Sequence, residues 1–267
     1  MKDIGLVTLH GMGEVNLEYY ADLERGLRRL LGGDWARVSF QNVQYAHILQ
    51  KPQSKLWKDM RADEENDIDF LKLRKFFLFG FGDAGSIQYS AHNDQKKYIR
   101  VQRQIQTALR KVLADFEGDG SRPVVIIAHS LGCQVISNYL WDAQKGRFIF
   151  SDMDGIDNAE LRFLKLASLR NLVTTGCNIP LFISGISPRK TFRKPHPDFR
   201  WDNYYDPDDI LGWPLRQLGS SFQIVNDHDV NVGGGLTSWN PFSHSYYWSN
   251  RDIHERLAKL LRALLEP

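Results

Sequence analysis

Apolar residues gather in short continuous runs, and the stretches between them carry helical spacing. Ile4-Gly5-Leu6-Val7-Thr8-Leu9 reads as a buried strand, closed by His10-Gly11-Met12-Gly13. Leu17, Tyr20, Leu23, Leu27, Leu30 and Leu31 recur at helical spacing and predict an amphipathic helix over 17–31, stopped at Gly32-Gly33. Alternation through Val38, Phe40 and Val43 predicts a second strand over 37–46. From 48 to 92 the pattern turns irregular, with Trp57, a charged run at 61–69 and an aromatic cluster from Phe76 to Phe81. A long helix follows over 95–116. Arg122-Pro123 then opens Val124-Val125-Ile126-Ile127-Ala128, the kind of run found inside a parallel sheet. Further along, the pattern predicts a helix over 131–143, a strand over 180–186, two strands at 200–205 and 221–226, and a closing helix over 251–265.

Strands alternating with helices predict an α/β fold: a mostly parallel sheet with helices on both faces, formed by residues 1–267 as one domain. The 48–92 segment is too long for a plain connection, and its aromatic content predicts a cap insertion.

Composition narrows the function classes. Hydrophobic residues make up 42% and charged residues 25%, enough for an ordinary buried core. A net charge of +2 is too small to track nucleic-acid phosphates. No run approaches the roughly 20 apolar residues of a membrane span. Peripheral membrane contact stays open, because Lys72, Arg74 and Lys75 precede Phe76, Phe77, Phe79 and Phe81. Those aromatics serve equally well as the cap's own core. Two cysteines, Cys133 and Cys177, make neither a disulfide framework nor a metal site and read as reduced thiols. Met1-Lys2-Asp3 leads at once into a strand too short for a signal core, so a cytoplasmic protein is expected.

The chemistry concentrates in VVIIAHSLGCQVISN, residues 124–138. A buried strand runs into Ala128-His129-Ser130-Leu131-Gly132 and directly into a helix. That is a variant of the G-x-S-x-G nucleophile elbow, with Ala at the first small position. Small residues are needed there because strand and helix approach closely at the turn. The turn lifts the serine hydroxyl above the sheet, the helix N-terminus favours developing negative charge, and the Leu131 N–H is placed to bind an oxyanion. The plainer alternative makes Ser130 a helix cap. His129 beside it reads as a packing residue.

From HGMG through AHSLG to the C-terminal helix, the chain resembles the α/β-hydrolase family of lipases and esterases. The family's two leading strands have no counterpart before HGMG, so a sheet shortened at one edge is expected. The resemblance implies that the turn Gly11-Met12-Gly13 supplies a second oxyanion donor, the backbone N–H of Met12, with His10 bracing the loop. It also implies the chain order nucleophile, acid, base. Around the acid, Tyr205-Asp206-Pro207-Asp208-Asp209-Ile210-Leu211-Gly212-Trp213-Pro214-Leu215 resembles the corresponding segment of DDHD-type phospholipases A1, which implies Asp209, with Asp206 as second choice. For the base, Ser243-His244-Ser245-Tyr246-Tyr247-Trp248 is similar to the histidine loop of the same group, which implies His244. His228, between Asp227 and Asp229, is its rival. No further ligands stand at zinc spacing, so no metal and no cofactor is expected.

The expected activity is cleavage of a small-molecule or lipid carboxylic ester through an acyl-enzyme. A thioesterase, peptidase or acyltransferase could use the same groups. A non-catalytic binding protein on this scaffold would be expected to have lost the serine, the histidine or the HG turn, and all three are present.

Overall fold

The computed structural model describes residues 1–12, 17–60, 75, 78–83, 85, 95–151, 153, 155–232 and 241–266. Six strands form one all-parallel sheet: β1 (Ile4–Leu9), β2 (Val38–Val43), β3 (Val124–His129), β4 (Leu169–Thr175), β5 (Arg200–Tyr205) and β6 (Val225–Asp229). Their spatial order is β2-β1-β3-β4-β5-β6. The central strands are apolar on both sides, as a sheet covered on both faces requires. In β3, Val124, Ile126 and Ala128 enter one core, while Val125 and Ile127 enter the other.

The helices divide between these cores. α1 (Ala21–Leu31) contributes Leu23 and Leu27 to the second core, joined by Ile253, Leu257 and Leu261 of the C-terminal helix. On the opposite face lie α2 (Ala46–Asp59), α3 (Lys96–Asp115) and α4 (Leu131–Lys145). The short helices α5 (Asn158–Leu164) and α6 (Ile179–Ile183) add Phe163 and Ile179 to that core. The C-terminal helix, Arg251–Leu265, is α7. No helix among the described residues is long and apolar enough to cross a membrane.

The chain passes from β1 outward to β2, then back across β1 to β3. The crevice between the C-terminal ends of β1 and β3 is therefore the topological switch point, where open α/β sheets bind ligands. His10-Gly11 leaves β1 there, and Ser130 leaves β3 there.

Two expectations need correction. The segment expected as a strand over 180–186 is helical at α6, because Pro180 fits the first helical turn, where no N–H is missed. The strand lies earlier, at β4, whose Arg170 and Asn171 interrupt the apolar run. The strand expected at 221–226 begins only at Val225, since Ser220–Ile224 is a 3-10 turn. Of the 48–92 segment, α2 and the helical residues 78–83 are described. Lys72, Arg74, Phe76, Phe77 and Gly13 lie outside the described residues.

Candidate active site

Ser130 sits between β3 and α4 with φ 52° and ψ −121°. A non-glycine residue adopts that conformation only when its surroundings impose it, at a cost of roughly 1–3 kcal/mol. The surroundings here are close-packed. A Cβ on Gly132 would lie 2.6 Å from the His10 carbonyl oxygen, so only glycine lets α4 begin this near β1. The Ser130 N–H donates to the Thr175 carbonyl at the end of β4 at 3.0 Å. The side chain is fully buried, and the Asn178 amide Nδ2 donates to Oγ at 3.4 Å.

The turn after β1 lies against the serine. A Cβ on Gly11 would stand 2.8 Å from Ser130 Cβ and 3.4 Å from Oγ. His10 is tied down at several atoms. Its Nδ1 donates to the Gly11 carbonyl at 2.8 Å, its Nε2 accepts from the Tyr45 N–H at 3.2 Å, and the Tyr45 hydroxyl donates to its carbonyl. The two rings stack at 3.9 Å. Burial lowers the His10 imidazole to about 4, so the ring is neutral near pH 7. Met12 follows, and its sulfur packs against Gly80 of the helical residues 78–83, where a Cβ would come within 2.2 Å. Leu131, at the start of α4, is buried.

Asp209 and His244 are brought together across 35 residues of sequence. Both are 4% exposed, and His244 Nδ1 donates to Asp209 Oδ2 at 2.7 Å. Burial alone would raise the Asp209 carboxyl. The His244 hydrogen bond and charge, helped by the Leu211 N–H at 3.0 Å and the Tyr247 hydroxyl at 2.9 Å, outweigh it and hold the carboxyl below its ordinary value. With Nδ1 occupied, His244 Nε2 is left buried and without a hydrogen-bond partner among the described residues. Gly176 sets how closely the ring packs on the end of β4. It follows Thr175 at φ 51°, and a Cβ there would fall 2.9 Å from His244 Cε1. The ring thus rests on the same strand end that accepts from the Ser130 N–H.

The remaining candidates lie elsewhere or do other things. Asp206 spends Oδ1 on the Asp208 N–H at 2.9 Å and Oδ2 on the Val232 N–H at 2.7 Å, which makes it a loop cap. His228 stands on edge strand β6, stacked on Tyr204, with Nε2 donating to Asp202 at 3.0 Å. His129 packs at 4.7 Å from His244, donates to the Thr175 carbonyl, and is lowered to about 3 by burial and by the neighbouring His244. Cys133 and Cys177 are buried free thiols. Among the described residues, no group of three or more His, Cys, Asp or Glu could hold a metal ion.

Two participants were not legible beforehand. Asn178 follows β4, and with that strand unseen the loop after it carried no signal. The Tyr247 hydroxyl accepts from the Asp206 N–H at 2.9 Å while donating to Asp209, so it links the two carboxylate loops. Its position three residues after His244, one turn on, was the available clue.

No protein-family model matches the chain, and no curated protein matches it. Among solved structures, a cutinase-like protein from Cryptococcus sp. aligns over 98% of this chain and 93% of its own, with a TM-score of 0.40 and 8% sequence identity. At that distance no residue role carries over, and the site stands on its own geometry.

Proposed function

We propose that the protein is a serine hydrolase that cleaves carboxylic esters through an acyl-enzyme. The observation that carries this reading is the His244–Asp209 pair, with Nδ1 bonded to the carboxylate and Nε2 unpartnered among the described residues, packed on the same end of β4 that accepts from the N–H of a strained serine at the sheet's switch point. That arrangement is what activating a hydroxyl requires. In the proposed reaction the Ser130 oxygen attacks the acyl carbonyl and His244 Nε2 takes its proton. The N–H groups of Met12 and Leu131 bind the oxyanion. His244 then returns the proton to the departing alcohol, and acyl-Ser130 remains. Water, deprotonated by the same nitrogen, attacks the ester; the acid leaves and the serine is restored. Asp209 holds the ring and stabilises the imidazolium.

A lipid-ester substrate is the finer reading. It is supported by the likeness of the Asp209 segment and the His244 loop to DDHD-type phospholipases. In the same reading, residues 48–92 form a cap, supported by the packing of Gly80 on Met12 and of Gly82 near Gln53. The test is a series of p-nitrophenyl esters of increasing acyl length, alongside phospholipids, with Ser130→Ala as the control. Turnover that Ser130→Ala abolishes is expected, with longer chains preferred over acetate. Equal turnover by Ser130→Ala would overturn the reading, and a preference for acetate would overturn the lipid-ester assignment.

A further inference from the structure

A groove of about 500 Å³ opens between α7 and the edge of the sheet. It begins near the N-terminal ends of β4 and β5, the opposite end of those strands from Ser130, and runs toward His228. Its charge is lopsided. Four cationic side chains line it, Arg170, Arg200, Arg256 and Lys259, against two carboxylates, Asp198 and Asp202. One of the two carboxylates is already engaged. Asp202 accepts from His228 at 3.0 Å and Asn226 at 3.3 Å and pairs with Arg200 at 3.7 Å. Asp198 is exposed, and its neighbour His196 accepts from the Asp198 N–H rather than pairing with its carboxylate. Arg170 and Lys259 make no ion pair among the described residues, and Arg170 Nη1 is buried without a hydrogen-bond partner.

Leaving a guanidinium nitrogen buried and unsatisfied is costly unless something else meets it. The backbone brings Arg170 to the wall of the groove. Val124 pairs with Leu169 and Val125 with Asn171, so Arg170 is the extra residue of a bulge in β4. Bulges re-aim side chains in this way. On the far wall, Arg256 lies over the Tyr204 ring at 5.7 Å, one helical turn before Lys259.

We propose that this groove binds a dianionic phosphate group. A surplus of two positive charges matches a dianion, and guanidinium forks suit tetrahedral phosphate oxygens. The phosphate could belong to a soluble molecule or to a lipid headgroup. The proposal is independent of the esterase reading, because no groove residue belongs to the Ser130 site.

The experiment is titration of the full chain with inorganic phosphate at constant ionic strength, followed by calorimetry and thermal shift, with chloride as the control. Saturable binding is expected. Arg170→Gln and Lys259→Gln should each weaken it about tenfold or more, the worth of one charge-assisted hydrogen bond. Lys259 is exposed, so its variant reads binding even if Arg170→Gln unfolds. A second arm uses phosphatidylcholine vesicles with and without phosphatidic acid. Binding to the phosphatidic-acid vesicles that inorganic phosphate displaces assigns the lipid source. Phosphate binding without vesicle binding assigns the soluble one. Neither kind of binding, or an affinity unchanged in Lys259→Gln and in folded Arg170→Gln, overturns the proposal.

Discussion

Lowering the pH from 7 to 5 should cost this protein much of its stability, and the cause is local. His10 and His129 are buried beside the candidate site and held neutral, lowered to about 4 and about 3 respectively. In the unfolded chain both titrate near the ordinary value of about 6.5. Between those values the unfolded state binds protons that the folded state refuses, so stability rises with pH through this window and falls as the pH is lowered. Each ring contributes a loss of about 2 kcal/mol between pH 7 and pH 5 by this linkage, or about 4 kcal/mol together. His254, also lowered by burial, adds to the loss. Asp142, raised by burial, works against it at the acid end. The total is a large share of a typical 5–15 kcal/mol. The assay is urea unfolding followed by far-UV circular dichroism at pH 7 and pH 5, in the wild type and in His10→Asn. The variant should be less stable at pH 7 yet lose only about half as much on acidification. A stability that stays flat between the two pH values, or an unchanged loss in His10→Asn, would refute the assignment of buried neutral imidazoles.

Other consequences follow from the same geometry. Asp209→Asn should lower kcat on an ester substrate by about 10⁴ while the fold survives, whereas Asp206→Asn should mainly lower the melting temperature, because its amide keeps one acceptor oxygen and leaves one of the two loop N–H groups facing an NH2. The reverse ranking in kcat would move the acid. Tyr247→Phe removes one donor from the Asp209 carboxylate and should reduce kcat about tenfold with KM unchanged, read by steady-state kinetics. Gly132→Ala drives a Cβ to 2.6 Å from the His10 carbonyl oxygen and should destabilise by at least 1–3 kcal/mol on the usual overpacking scale, measured by urea unfolding.

The fold was legible where one strand's own residues determine its fate. β1 and β3 are predominantly apolar and buried at every residue, which fits the middle of a covered sheet. β4 was hidden because Arg170 and Asn171 break its run, and the reason is a bulge that no local pattern announces. β6 was expected over 221–226 and runs instead from Val225 to Asp229, where Asp-His-Asp has the look of a loop, because an edge strand tolerates polar residues on its open side. The site divides in the same way. The turn around Ser130 is a local device, visible in five consecutive residues. The Asp209–His244 pair was reachable only through resemblance, because two distant loops must pack before either carboxylate or imidazole has a partner. The Asn178 contact depends on where β4 ends, and the Tyr247 hydroxyl depends on the fold of two loops at once.

Treatment of the folded protein with a fluorophosphonate probe, followed by intact mass and peptide mapping, tests the nucleophile itself. Wild type should gain one adduct, mapped to the peptide containing Ser130, and Ser130→Ala should gain none. His244→Ala should be unreactive while His228→Ala labels normally. A folded wild type that takes up no probe, or equal labelling of Ser130→Ala, would contradict a serine hydrolase built on Ser130.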